Sequence, residues 1–168
     1  MRSLLFSLLA VTLAASGLSG PASATAAQLG ETSRYTILKL AQSPPVLQNL
    51  DLAAGGPGGA SFYEAALVRD GKPFGRLHGT ILKTDVTPDS SSVETRIRTL
   101  IFDLPEGQIV AMGVSEYVPP YIGIVPALRT TARIAIVGGT GTYGAARGEV
   151  STVRNADGTY DHVLTVLK

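Results

Sequence analysis

The chain has 168 residues, with 14 Lys and Arg against 13 Asp and Glu, and this formal charge of +1 gives no basic surface for nucleic acid or an anionic membrane. It contains no cysteine, which excludes disulfides, thiolate metal sites, iron–sulfur clusters and cysteine nucleophiles. Only 16% of the residues are charged and 19 are glycine, a balance that favours strands over helices in a chain so rich in Val, Ile and Thr.

Residues 1–26 read as a secretory leader. Arg2 supplies the positive start, Leu4 to Ala15 is an almost unbroken apolar run, and Gly17, Gly20 and Pro21 break it. Ala22-Ser23-Ala24 and Ala24-Thr25-Ala26 both fit the small-x-small rule for cleavage. The run is shorter than the ~20 residues that span a bilayer. Cleavage leaves residues 27–168 as one domain, secreted to an extracellular or periplasmic space with no membrane attachment.

Behind a polar lead-in, short apolar and polar alternations are divided by turn chemistry, the pattern of an all-β domain. Strands are expected at Arg34–Leu40, Val46–Leu52, Phe62–Val68, Phe74–Asp85, Val93–Asp103, Gln108–Tyr117, Ala132–Val137, Ala145–Arg154 and Thr159–Leu167. Asp70-Gly71 and Asp157-Gly158 tolerate positive φ and predict hairpin turns, and Pro105-Glu106-Gly107 predicts another reversal. Sequential hairpins form either a sandwich or an up-and-down barrel, and closure of the barrel removes exposed edges. Two loops stand out. Ala53 to Ala60 is small and Gly-rich, whereas Pro119 to Thr131 is apolar and stiffened by proline, and suits a cap or a seam between subunits.

No metal motif is present, since the two histidines, His78 and His162, lie far apart without a carboxylate cluster. No Gly-x-Ser-x-Gly elbow supports a hydrolase. Gly138-x-x-Gly141-x-x-Gly144 superficially suggests a nucleotide loop, but a strand rather than a phosphate-binding helix follows it. The remaining candidates ride on strands. Arg76, His78 and Thr80 share one face of their strand. Glu94, Arg96 and Arg98 share another, read as a solvated outer face with cross-strand ion pairs. Glu64, between Tyr63 and Ala65 in an otherwise apolar strand, is a candidate general acid or base if it points into the barrel, where burial would raise its pKa. Tyr63, Tyr117 and Tyr143 are candidate lining groups with a polar tip.

Ile134-Ala135-Ile136-Val137-Gly138-Gly139-Thr140-Gly141-Thr142-Tyr143-Gly144-Ala145-Ala146-Arg147-Gly148-Glu149-Val150 resembles the signature of the allene oxide cyclase-like and dirigent-like barrels. Arg69-Asp70-Gly71-Lys72-Pro73-Phe74-Gly75-Arg76-Leu77-His78-Gly79 is similar to that superfamily's hairpin with its Gly-Arg-x-x-Gly strand. The resemblance covers most of the chain from about residue 50 onward. It implies an eight-stranded antiparallel barrel, usually a homotrimer, with an apolar interior and no cofactor. It also implies a pocket position for Arg147, which could hold a carboxylate, phenolate or carbonyl oxygen. The pocket aspartates of plant dirigent proteins have no definite match, and the cysteine associated with plant allene oxide cyclase sites is absent.

On this reading Arg147 and Glu64 are the expected catalytic residues of a cofactor-free cyclase, isomerase or stereochemical guide. Arg76, His78, Tyr63, Tyr117 and Tyr143 are expected to bind a small apolar substrate. The alternatives are a secreted carrier of a lipid-like or phenolic ligand, and a structural barrel with a filled core.

Overall fold

A computed structural model describes residues 34–50, 59–84, 94–117 and 131–167. The leader, most of the Ala53–Ala60 loop and the Pro119–Thr131 loop up to residue 130 lie outside the described residues. Nine strands follow in chain order: β1 (Tyr35–Gln42), β2 (Val46–Leu50), β3 (Ala60–Arg69), β4 (Lys72–Lys83), β5 (Glu94–Leu104), β6 (Gly107–Tyr117), β7 (Thr131–Gly139), β8 (Gly148–Arg154) and β9 (Tyr160–Leu167). Every neighbouring pair is antiparallel.

β1 pairs with β9 along its length and with β3 at Ala41 and Gln42, and this double pairing closes eight strands into a barrel. β2 is the extra strand. The Ser43-Pro44-Pro45 step interrupts the ladder, because proline cannot donate to it, and the chain resumes on β3 from Val46. Closure pairs most of each strand, though the β6–β7 ladder runs only from Ile109 to Met112.

The expected turns are where the sequence puts them. Asp70 and Gly71 adopt positive φ of 51° and 74° between β3 and β4, and Gly158 does so before β9. The expected eighth strand begins later than Ala145. In its place Gly141–Tyr143 forms a single 3-10 turn, and the strand proper starts at Gly148. This turn has a structural task. Thr140 N donates to Gln108 O at 2.8 Å, Gln108 N to Thr140 Oγ1 at 3.0 Å, and Thr142 N to Glu106 O at 3.0 Å. The glycine-rich signature is therefore a clasp over the β5–β6 turn, and a Cβ on Gly139 or Gly141 would collide with the backbone of that turn.

The interior divides into two halves. Towards the clasp it is wholly apolar, built from residues such as Leu67, Leu77, Phe102, Ile109, Val150 and Leu164, each at or near zero exposure. Towards the other end, where residues 51–58, 85–93 and 118–130 connect the strands, the inward residues become polar. That change of character along single strands positions the candidate site.

Candidate functional site

The polar half is built mainly on β5 and β6. In β5 the inward row reads Glu94, Arg96, Arg98, Leu100, Phe102, Leu104, so the charges sit in phase with the core. This corrects the expectation of a solvated outer face: Glu94, Arg96 and Arg98 are only 6%, 4% and 4% exposed. The outward row carries Ile97, Thr99 and Ile101 instead.

Glu94 accepts from Lys83 Nζ at 2.7 Å and from Arg96 Nε at 2.9 Å, with a second, shorter bond from Arg96 Nη2. The Arg96 guanidinium lies over the Tyr117 ring, 4.1 Å from its centre, a cation–π contact that fixes both groups. Arg98 sits deeper. Burial opposes its charge, but the guanidinium is too basic to give up its proton and stays charged, with a hydrogen bond to Tyr63. Burial in turn raises the pKa of Tyr117 and Tyr160, which keeps both hydroxyls protonated as donors.

Glycine positions Tyr63. Gly79, opposite Tyr63 across the β3–β4 ladder, has no side chain, and the Tyr63 ring occupies the space its Cβ would take. The last glycine of Gly75-Arg76-Leu77-His78-Gly79 thus sets a tyrosine hydroxyl that accepts from Arg98.

His162 closes the floor of this half. It is fully buried, with Nδ1 2.9 Å from Thr152 Oγ1, Nε2 2.8 Å from Gln42 Oε1, and its ring edge-on to Phe102. Burial, reinforced by the Arg98 charge, lowers its pKa to about 3. The ring is therefore neutral, with Nε2–H donating to Gln42 and Nδ1 accepting from Thr152. Because an unfolded histidine titrates near 6.5, protons favour the unfolded chain below that value. The stabilisation is complete above pH ~6.5 and is lost on acidification towards about 3, by about 1.4 kcal/mol per pH unit. Urea unfolding at pH 6.5 and pH 5 should show this loss, and His162→Gln should flatten it.

The expected site residues separate. Tyr63 and Tyr117 are inward; Tyr63 hydrogen-bonds Arg98, and the Tyr117 ring lies under Arg96. Glu64, Arg76 and His78 point outward, because their strands send Ala65, Leu67 and Leu77 into the core. Glu64 is not a carboxylate inside an apolar barrel: it accepts from Arg76 Nη1 at 2.7 Å on the outer surface. Both side chains are about half or more exposed, so Glu64→Gln should change stability by less than about 1 kcal/mol in a chemical melt. Arg147 is exposed beside the clasp and donates to Ala146 O at 2.7 Å, and Tyr143 packs against the apolar half. These two lie at the end opposite the polar half.

Glu64, Arg76 and His78 do share a feature: an outer groove of about 860 Å³ bounded by β2 to β5, with Val46, Phe62 and Ile101 among its apolar walls. Its ion pair is satisfied and open to solvent. Inside the barrel the balance is different, since Arg98 Nε, Ser115 Oγ and Tyr117 Oη are buried with no hydrogen-bond partner among the described residues. Unpaired buried donors are rare in folded proteins and are met by ordered water, an ion or a ligand, which makes the interior the stronger candidate site. Among the described residues no group of three or more His, Asp or Glu side chains could hold a metal ion.

Solved structures with the same architecture include pyocyanin demethylase, at 23% identity and a TM-score of 0.63 over 78% of this chain and 99% of that one. A pterocarpan synthase dirigent protein matches at 16% identity and a TM-score of 0.52 over 80% of this chain and 86% of that one. The fold is that of the dirigent-like barrels. A Diels-Alderase from Streptomyces koyangensis shares the architecture, at 15% identity and a TM-score of 0.56 over 82% of this chain and 71% of that one. No family model and no curated protein matches the chain.

Sequence reasoning missed Arg98, Ser115, Tyr160 and the Glu94–Arg96 pair. A signal was available for β5: Leu100, Phe102 and Leu104 outnumber Ile97 and Ile101, and they fall in phase with the charges. For Ser115 and Tyr160 no local signal exists, because the face that turns inward is decided by the neighbouring strands.

Proposed function

We propose that the protein is a cofactor-free cyclase, isomerase or dirigent-type guide that holds a small, largely apolar substrate in the polar half of the barrel. The observation that carries this reading is the buried Arg98, ringed by tyrosine hydroxyls, with unpartnered donors beside it. The ring-forming and dirigent neighbours of the same fold support it. Chemically, confinement selects one folded conformer of the substrate and excludes water. Fixed donors at Arg98, Tyr63 and Tyr117 then stabilise charge that builds on a substrate oxygen as bonds reorganise.

The apolar run and the small-residue sites of 1–26 support export, so the substrate would be met outside the cytoplasm. The outer row Leu82–Ile97–Val114, contiguous across β4, β5 and β6 and exposed, supports association into a homotrimer.

Native mass spectrometry of the exported protein mixed with an extract of its own culture tests the reading. The expected result is a trimer that retains one discrete small molecule. Added back to fresh protein, that molecule should yield a product of identical mass and altered absorbance, as cyclisation or isomerisation requires. Retention without conversion would indicate a carrier. A protein that retains nothing, and whose interior admits no probe, would be a filled structural barrel.

A further inference from the structure

We propose that the polar half takes its ligand through an anionic oxygen, of the carboxylate, enolate or phenolate class, seated against Arg98, Ser115 and Tyr117. This deepens the reading of the barrel as a small-molecule site and rests on it.

The charges come first. Among the described residues Glu94 is the single carboxylate on the inward strand faces, and Lys83 and Arg96 both engage it. Arg98 has no carboxylate partner there and is 4% exposed, with its Nε unpartnered among the described residues. A buried cation without a counter-ion is costly, and an incoming anion removes that cost.

The hydrogen-bonding groups agree. Arg98 faces Gly113 across the β5–β6 ladder, and Ser115 and Tyr117 follow on the same inward row of β6. Their unpartnered atoms are one N–H and two hydroxyls. Arg98 Nε can only donate, and the tyrosine stays protonated, so these groups together suit an acceptor with several lone pairs. A neutral hydrocarbon would leave all three unsatisfied. A carboxylate, enolate or phenolate oxygen can accept from each and carry the balancing charge.

The test uses 4-nitrophenol, whose ionised form absorbs visible light, with nitrobenzene as the neutral analogue and benzoate as a competing carboxylate. The protein should bind 4-nitrophenolate and shift the probe towards its ionised form. Nitrobenzene should bind at least about tenfold more weakly, and displacement by benzoate extends the seat from phenolates to carboxylates. Tyr117→Phe and Ser115→Ala remove atoms that make no internal hydrogen bond, so the unfolding midpoint should hold or rise. Each should weaken 4-nitrophenolate by about tenfold.

Nitrobenzene binding as tightly as 4-nitrophenolate would overturn the anion seat and leave the interior small-molecule reading standing. Affinity lost on Arg76→Ala but kept in Tyr117→Phe would place the anion in the outer groove and overturn it equally. If neither probe binds, the anion seat is again overturned, and retention of a metabolite in the native spectrum decides the broader reading separately.

Discussion

Glu94→Ala will destabilise the barrel by about 3–5 kcal/mol, the usual cost of leaving buried charge uncompensated. Glu94 is 6% exposed and holds Lys83 Nζ and the Arg96 guanidinium by charge-assisted bonds. Its removal takes from both cations the carboxylate that they share. Arg96 also loses the tether that holds it over Tyr117, so the aromatic should become mobile and its near-ultraviolet circular dichroism should fall. Chemical denaturation measures the first effect. The control is the triple replacement Lys83→Met, Glu94→Leu, Arg96→Met, which removes the whole network and should recover most of the loss. If Glu94→Ala alone is neutral, the network does not carry the energetics assigned to it.

Phe102→Ala is expected to cost about 3–5 kcal/mol by a different route, a cavity in the apolar half. Phe102 is completely buried, and its ring meets His162 edge-on at 5.3 Å between centroids. It thus joins the apolar half to the floor of the polar one. The void left behind could admit water to His162, and readmitted water would relieve the burial that holds the histidine neutral. The variant should therefore show a weaker stability loss between pH 6.5 and 5 than the parent, beyond being less stable overall. Equilibrium unfolding at the two pH values reports both effects, and an unchanged pH slope would argue against solvent reaching the ring.

The strands were legible because their turn chemistry is local. Asp70-Gly71 needs only its own backbone to reverse the chain, and an antiparallel neighbour follows. Strand orientation was harder to read, because it is decided across strands. β5 carries apolar residues on both rows, and the barrel buries the row whose Phe102 and Leu100 match Leu77 and Ile109 on neighbouring strands. Glu94, Arg96 and Arg98 are carried inward by that choice and made tolerable by one another and by Lys83, which lies on β4. Glu64 was attractive as a lone carboxylate among apolar residues, yet it pairs with Arg76, twelve positions away, on the outside. The resemblance gives Arg147 a pocket position through the Ala-Arg-Gly element of the signature, and that signature is a clasp at the far end.

That clasp has a consequence for how such a protein can change over generations. Each long strand supplies both an anchoring segment near Gly139–Gly141 and a lining segment near the connecting loops. Because the closing pairs of β1 and the clasp are built from other residues, replacements at positions such as 98, 115 and 117 alter which molecule fits without asking the chain to find a new way to fold. The architecture separates inheritance of shape from invention of chemistry along the length of a single strand.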